Sequence, residues 1–221
     1  MGLWITLRRD RETSFFRRHL LNMISPQIEG DSLILASGFF QEDPEKDYSI
    51  LDDRLLDALL SNEIITDILA VGAMRSPAPF NEFCKKLDEN WEGTLTTNRK
   101  SNWHAKIAMK LKSRLVDTDK IEKIPVCAII GSSNLTRPAY GIAGDIPENV
   151  TSRLNFNYEC DVVIFAKDWF GNITKAPPKF FPGFDRQDFG SIYFQDLPYG
   201  CPDEIDQMKM LLKEIEGHIR K

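Results

Sequence analysis

The chain lacks the runs and clusters that mark several classes of protein. Its 221 residues contain no stretch of 18 or more apolar side chains, so no transmembrane helix is expected. The opening Met1-Gly2-Leu3-Trp4-Ile5-Thr6-Leu7-Arg8-Arg9 has no long apolar core, so no secretory leader is expected either. Met-Gly-x-x-x-Thr fits the loose myristoylation pattern, but Trp4-Ile5 reads better as the start of packed structure. A cytoplasmic protein without stable membrane association follows. The four cysteines, Cys84, Cys127, Cys160 and Cys201, form no Cys-x-x-Cys and have no histidine at ligand spacing. This argues against a zinc ribbon or a disulfide scaffold. Cys127 and Cys160 sit in apolar runs and read as buried thiols. No metal and no cofactor are expected. Histidine is rarer still, with only His19, His104 and His218, and no internal repeat is visible.

What remains is an ordinary globular composition, 42% hydrophobic and 28% charged, in a chain long enough to bury a substantial core. Net charge is −5, which does not advertise nucleic-acid binding, yet the charge is uneven. Residues 8–18 hold Arg8, Arg9, Arg11, Arg17 and Arg18 against Asp10 and Glu12. Residues 99–123 hold eight Lys or Arg against three acids. Local basic patches on an acidic protein can bind phosphate backbones, and a solvated mixed-charge surface explains each run equally well.

Apolar periodicity predicts a helix over 13–24, capped by Thr13, with Phe16, Leu20, Met23 and Ile24 on one face. A second amphipathic helix follows from Leu51 to Leu60, and a third starts in Phe80–Leu87. Residues 91–101 read as a polar loop. Buried strands are expected at 32–40, 64–74, 103–112, 125–132 and 157–166. Strands alternating with amphipathic helices imply an α/β fold, a mixed, mostly buried sheet flanked by helices on both faces. Residues 171–202 are rich in Pro and aromatics and read as a loop or hairpin packed over the core. A last helix, 203–221, presents Ile205, Met208, Leu211, Leu212, Ile215 and Ile219 to the same domain.

Three polar pairs spaced i, i+2 stand in or beside apolar strands: His104 with Lys106, Ser132 with Asn134, and Asn157 with Glu159. Alternation places each pair on one face, and packing alone does not explain them. They look like one polar site at a sheet edge. In order, His104-Ala105-Lys106, Gly131-Ser132-Ser133-Asn134 and Asn157-Tyr158-Glu159 resemble the signature of the phospholipase D superfamily over about 60 residues. The superfamily places an Asp five residues after the Lys, where this chain has Leu111. Nuclease-like branches also lack that Asp, which moves weight away from the lipid enzymes.

The resemblance implies a catalytic domain over 1–202 with the terminal helix packed on it. It implies His104 as a nucleophile that forms a phosphohistidine, and Lys106, Ser132 and Asn134 as partners of the phosphate oxygens. It also implies Glu159 as an acceptor that orients His104, and chemistry that needs no metal. Arg99, Lys110 and Arg137 are candidate phosphate contacts. The superfamily uses two histidines and this chain carries one such motif, so a homodimer sharing one active site is expected. The substrate expected is nucleic acid, DNA or RNA, cleaved by a nuclease of restriction or defence type. The alternatives are a phospholipase or phosphatidyl transferase, and a non-catalytic nucleic-acid-binding subunit.

Overall fold

The computed structural model describes residues 2–8, 14–43, 48–75, 77–101, 103–118, 120–141, 159–165, 192–194 and 204–219. The elements run β1 (Gly2–Leu7), α1 (Phe15–Ile24), β2 (Ser32–Ser37), β3 (Glu42–Asp43), β4 (Tyr48–Ser49), a π turn (Leu51–Leu55) and α2 (Leu56–Leu60). They continue with β5 (Asp67–Ala73), α3 (Pro77–Asn90), β6 (Thr94–Lys100), β7 (Lys106–Asp117), β8 (Lys120–Gly131), α4 (Arg137–Tyr140), β9 (Cys160–Phe165), β10 (Ile192–Phe194) and α5 (Glu204–Ile219). Eight strands form one sheet in the order β10-β1-β9-β8-β7-β2-β5-β6. β2, β5 and β6 are parallel, and every other neighbouring pair is antiparallel. The fold is therefore α/β with a mixed sheet.

Alternation along the strands sends apolar side chains to both faces. One face packs Leu33, Leu35, Ala70, Ala108, Ile129 and Val163 against α1, the π turn, α2 and α3. The other packs Ile34, Ala36, Val71, Met109, Ala128 and Ile164 against Met208, Leu212 and Ile215 of α5. On α1 the side chains of Leu20, Met23 and Ile24 are fully covered, each worth about 1.5–3 kcal/mol of burial. Among the described residues no helix is long and apolar enough to cross a membrane.

Several sequence expectations shift. Ser14 caps α1, its hydroxyl accepting the Arg17 amide at 3.1 Å, while Thr13 lies outside the described residues. Residues 94–100, expected in a polar loop, form β6, an edge strand. Thr94, Thr96 and Thr97 favour extended backbone, and an edge tolerates the polar side chains that hid it. Of the Pro-rich stretch 171–202, the described part is β10, paired with β1.

The basic run near the N-terminus is structural where it is described. The buried Arg8 guanidinium donates to the carbonyls of Pro138, Ala139 and Gly141 at 2.7–2.9 Å. Buried Arg17 stacks on Tyr140. Glu42 is also buried, and its carboxylate accepts the amides of Ile50 and Leu51 and the ammonium of Lys86.

β7 and β8 make a long hairpin with a bulge where Lys110 faces Cys127 and Leu111 faces Pro125. Proline lacks an amide hydrogen and is tolerated in a strand beside such an irregularity. Gly30, at φ 137°, meets this hairpin so closely that a Cβ would lie 2.7 Å from the Leu111 carbonyl. That backbone conformation and that space suit glycine alone.

Candidate functional site

The site is built across one end of the sheet. Lys106 is in register with Gly131, and Gly131 with Asp161. Ser37, the last residue of β2, follows the Ala36–Ile107 pair and falls beside this row. The strands end here, so their terminal polar groups are free to bond side chains and ligands instead of a ladder, as at the carboxyl edges of open α/β sheets.

Gly131 is where two strands come closest. A Cβ there would fall 2.1 Å from Asp161 Oδ1 and 2.5 Å from the Cys160 carbonyl. Without it, the following loop folds onto β9. Ser133 donates to Asp161 from its amide at 3.2 Å and from its hydroxyl at 2.6 Å. The Ser132 hydroxyl donates to Glu159 and accepts the Cys160 amide at 2.9 Å. The Glu159 carbonyl accepts the Arg8 amide at 2.8 Å. Burial pushes the Asp161 carboxyl up to about 6, against the pull of the Ser133 donors, with the Glu159 charge adding to the rise.

Asn134 comes next. Ser37 Oγ lies 3.2 Å from Asn134 Oδ1 and accepts the Leu135 amide at 3.1 Å. With its oxygen turned to Ser37, the Asn134 side-chain amide has no acceptor among the described residues, which leaves two N–H donors for a ligand. His104 stands across Gly38. A Cβ on Gly38 would lie 3.5 Å from His104 Cα and 3.6 Å from Asn134 Oδ1. Phe39 meets the His104 ring edge-on, with centroids 6.5 Å apart and planes at 88°.

His104 is exposed, and its Nδ1 lies 2.8 Å from Lys106 Nζ. An ammonium only donates, so Nδ1 accepts and the ring proton sits on Nε2. Partial burial lowers the Lys106 pKa, and the Glu159 charge opposes that fall. Among the described residues His104 makes no bond to Glu159: Lys106 lies on Nδ1, and Ser132 takes one oxygen of Glu159. Among the described residues no three His, Cys, Asp or Glu side chains converge as a metal set.

The structure thus gathers His104, Lys106, Ser132, Asn134 and Glu159 at one sheet end. Of the three basic candidates, one is drawn into the core instead. Lys110 is fully buried further along β7, its ammonium donating to the carbonyls of Ser25 at 3.0 Å and Ile28 at 2.6 Å, where it seals the end of α1. Burial lowers its pKa to about 8. It is not available to a phosphate. Arg99 is exposed on edge strand β6. Arg137 opens α4, and its side chain lies outside the described residues, as does Asn157.

Sequence reasoning missed Ser37, Phe39 and Arg8. The small polar pair Ser37-Gly38 closing an apolar strand was the available signal for the first. No protein-family model matches the chain, and no curated protein matches it.

Proposed function

We propose that the protein is a phosphodiesterase of phospholipase D type, a metal-independent nuclease that works through a phosphohistidine. The observation that carries this is the convergence of His104, Lys106 and Asn134 at one sheet end, with Ser132 tied to Glu159 behind them.

In this mechanism an incoming phosphate draws Lys106 from His104 to a non-bridging oxygen. The Asn134 amide donates to a second one. Both groups act where negative charge develops in the transition state. The freed imidazole nitrogen attacks phosphorus, a P–N bond forms, and the bond to the leaving oxygen breaks. The leaving oxygen takes its proton from a second histidine. Water then gives a proton to that second histidine and attacks phosphorus, the P–N bond breaks, and both imidazoles return to their starting states. The second histidine comes from a second copy, so the working unit is a homodimer with a two-fold axis through the site. The compartment proposed is the cytoplasm.

The test is cleavage of labelled single- and double-stranded DNA and RNA in EDTA at low salt. The parent chain should cut and His104→Ala should lose at least about a hundredfold in rate, as loss of a nucleophile demands. Equal cleavage by both proteins, or cleavage restored only by added metal, would overturn the proposal.

A further inference from the structure

Beside His104 the surface opens into a cleft of about 100 Å³, lined by Gly38, Phe39, Ala73, Arg75, Trp103 and His104 among others. Its walls are unusual for a protein end-face. Phe39 is 39% exposed and Met74, next to Arg75, is 56% exposed. Large apolar side chains left in water beside a polar catalytic constellation mark a ligand surface. Trp103 packs on the second core cluster, which fixes its ring as a rigid wall. Its indole N–H is buried and has no acceptor among the described residues. Arg75 is exposed and supplies a planar guanidinium that stacks on rings and pairs with phosphate.

We infer that this cleft holds one unpaired nucleobase of a single-stranded polynucleotide, next to the phosphate that His104 attacks. This deepens the phosphodiesterase proposal and rests on it for the position of the phosphate. Size comes first. The cleft is well below the roughly 300–1,000 Å³ of pockets that engulf drug-sized ligands, so it accepts one small flat group and not an acyl chain. Chemistry comes second. A base offers π faces to Phe39, Trp103 and Arg75. A hydrocarbon chain offers none. Pairing comes third. A base inside a duplex cannot enter a pocket, so the nucleotide is single-stranded or extruded. The approach is basic, since β6 ends in Arg99 and Lys100 immediately before Ser101 at the cleft wall.

Binding tests this without catalysis. In the His104→Ala background, a short single-stranded DNA is titrated against the same chain built only of abasic sugars, with anisotropy giving affinity and tryptophan fluorescence giving contact. The intact strand should bind roughly five- to a hundredfold tighter, the range a stacked base contributes. Phe39→Ala and the surface change Arg75→Ala should each narrow that gap, and Trp103→Phe should remove the fluorescence change. Equal affinity for intact and abasic strands would overturn the inference, as would a gap that survives both substitutions. Binding to anionic phospholipid vesicles in place of the oligonucleotide would overturn it too. Hydrolysis of methyl 4-nitrophenyl phosphate by the parent chain in EDTA reports separately on the phosphodiesterase. Its absence beside intact base discrimination would remove the catalytic proposal and leave the pocket standing.

Discussion

Single residues in this site hold each other in unequal states of charge. Asp161 sits at about 6 against an ordinary 3.8 because it is buried. The folded chain therefore holds that proton more tightly than the unfolded chain does. The resulting stabilisation is complete below about pH 4 and is lost as pH rises through about 6. At pH 7 the ionised carboxylate costs on the order of 2–3 kcal/mol. Asp161→Asn removes the charge and keeps an oxygen for the Ser133 amide. Urea unfolding should find this variant more stable than the parent by about 1–3 kcal/mol at pH 7, with no gain at pH 4. Equal stability at pH 7 would refute the assignment of burial as the dominant cause. Lys110 shows the opposite lesson. Its alternation along the strand matches that of Lys106, so by sequence the two look equivalent, yet one faces the site and the other closes α1.

Among the elements, those with a buried face were legible. The apolar runs of β2, β5, β7, β8 and β9 and the helical face of α1 announce themselves, because burial on a strand or helix demands apolar periodicity. β6 was not legible. An edge strand of Thr, Asn, Arg and Lys carries little such signal, and its pairing with β5 is decided by backbone and by the chain's path out of α3. Nor was the reach of the β7–β8 hairpin, whose far end, around Leu115, Val116 and Ile121, is solvent-exposed. The candidate site was readable because its residues keep short fixed spacings at strand ends. The Glu159 pairing was misread because it depends on which of three neighbours, His104, Lys106 or Ser132, reaches the carboxylate first. At this scale Gly131 is the joint between β8 and β9. Gly131→Ala must displace the Asp161 carboxylate and the Cys160 backbone. A loss of about 1–3 kcal/mol should appear in thermal melts, with Ser132 and Glu159 moved out of register and activity reduced beyond the unfolded fraction. A melt and an activity matching the parent would refute the contact.

The whole molecule is expected to act as a pair. If each chain gives one His104 to a shared centre, sedimentation should show a dimer, and excess His104→Ala chain reassociated with the parent should suppress activity well beyond dilution. A fully active monomer would rule this out. The sheet order has a further consequence, for the time at which activity appears. β1 lies between β9 and β10, which follow it far along the chain, and Thr6 meets Asp161 across 155 residues of chain. Contacts so distant in sequence close late and slowly. Until they close, Arg8 cannot hold the Glu159 backbone or the carbonyls of α4, so a half-made chain has no assembled centre. For the nuclease proposed, in a cell full of its own nucleic acid, that topology would act as a delay, leaving the growing polypeptide without a centre until β9 and β10 reach β1.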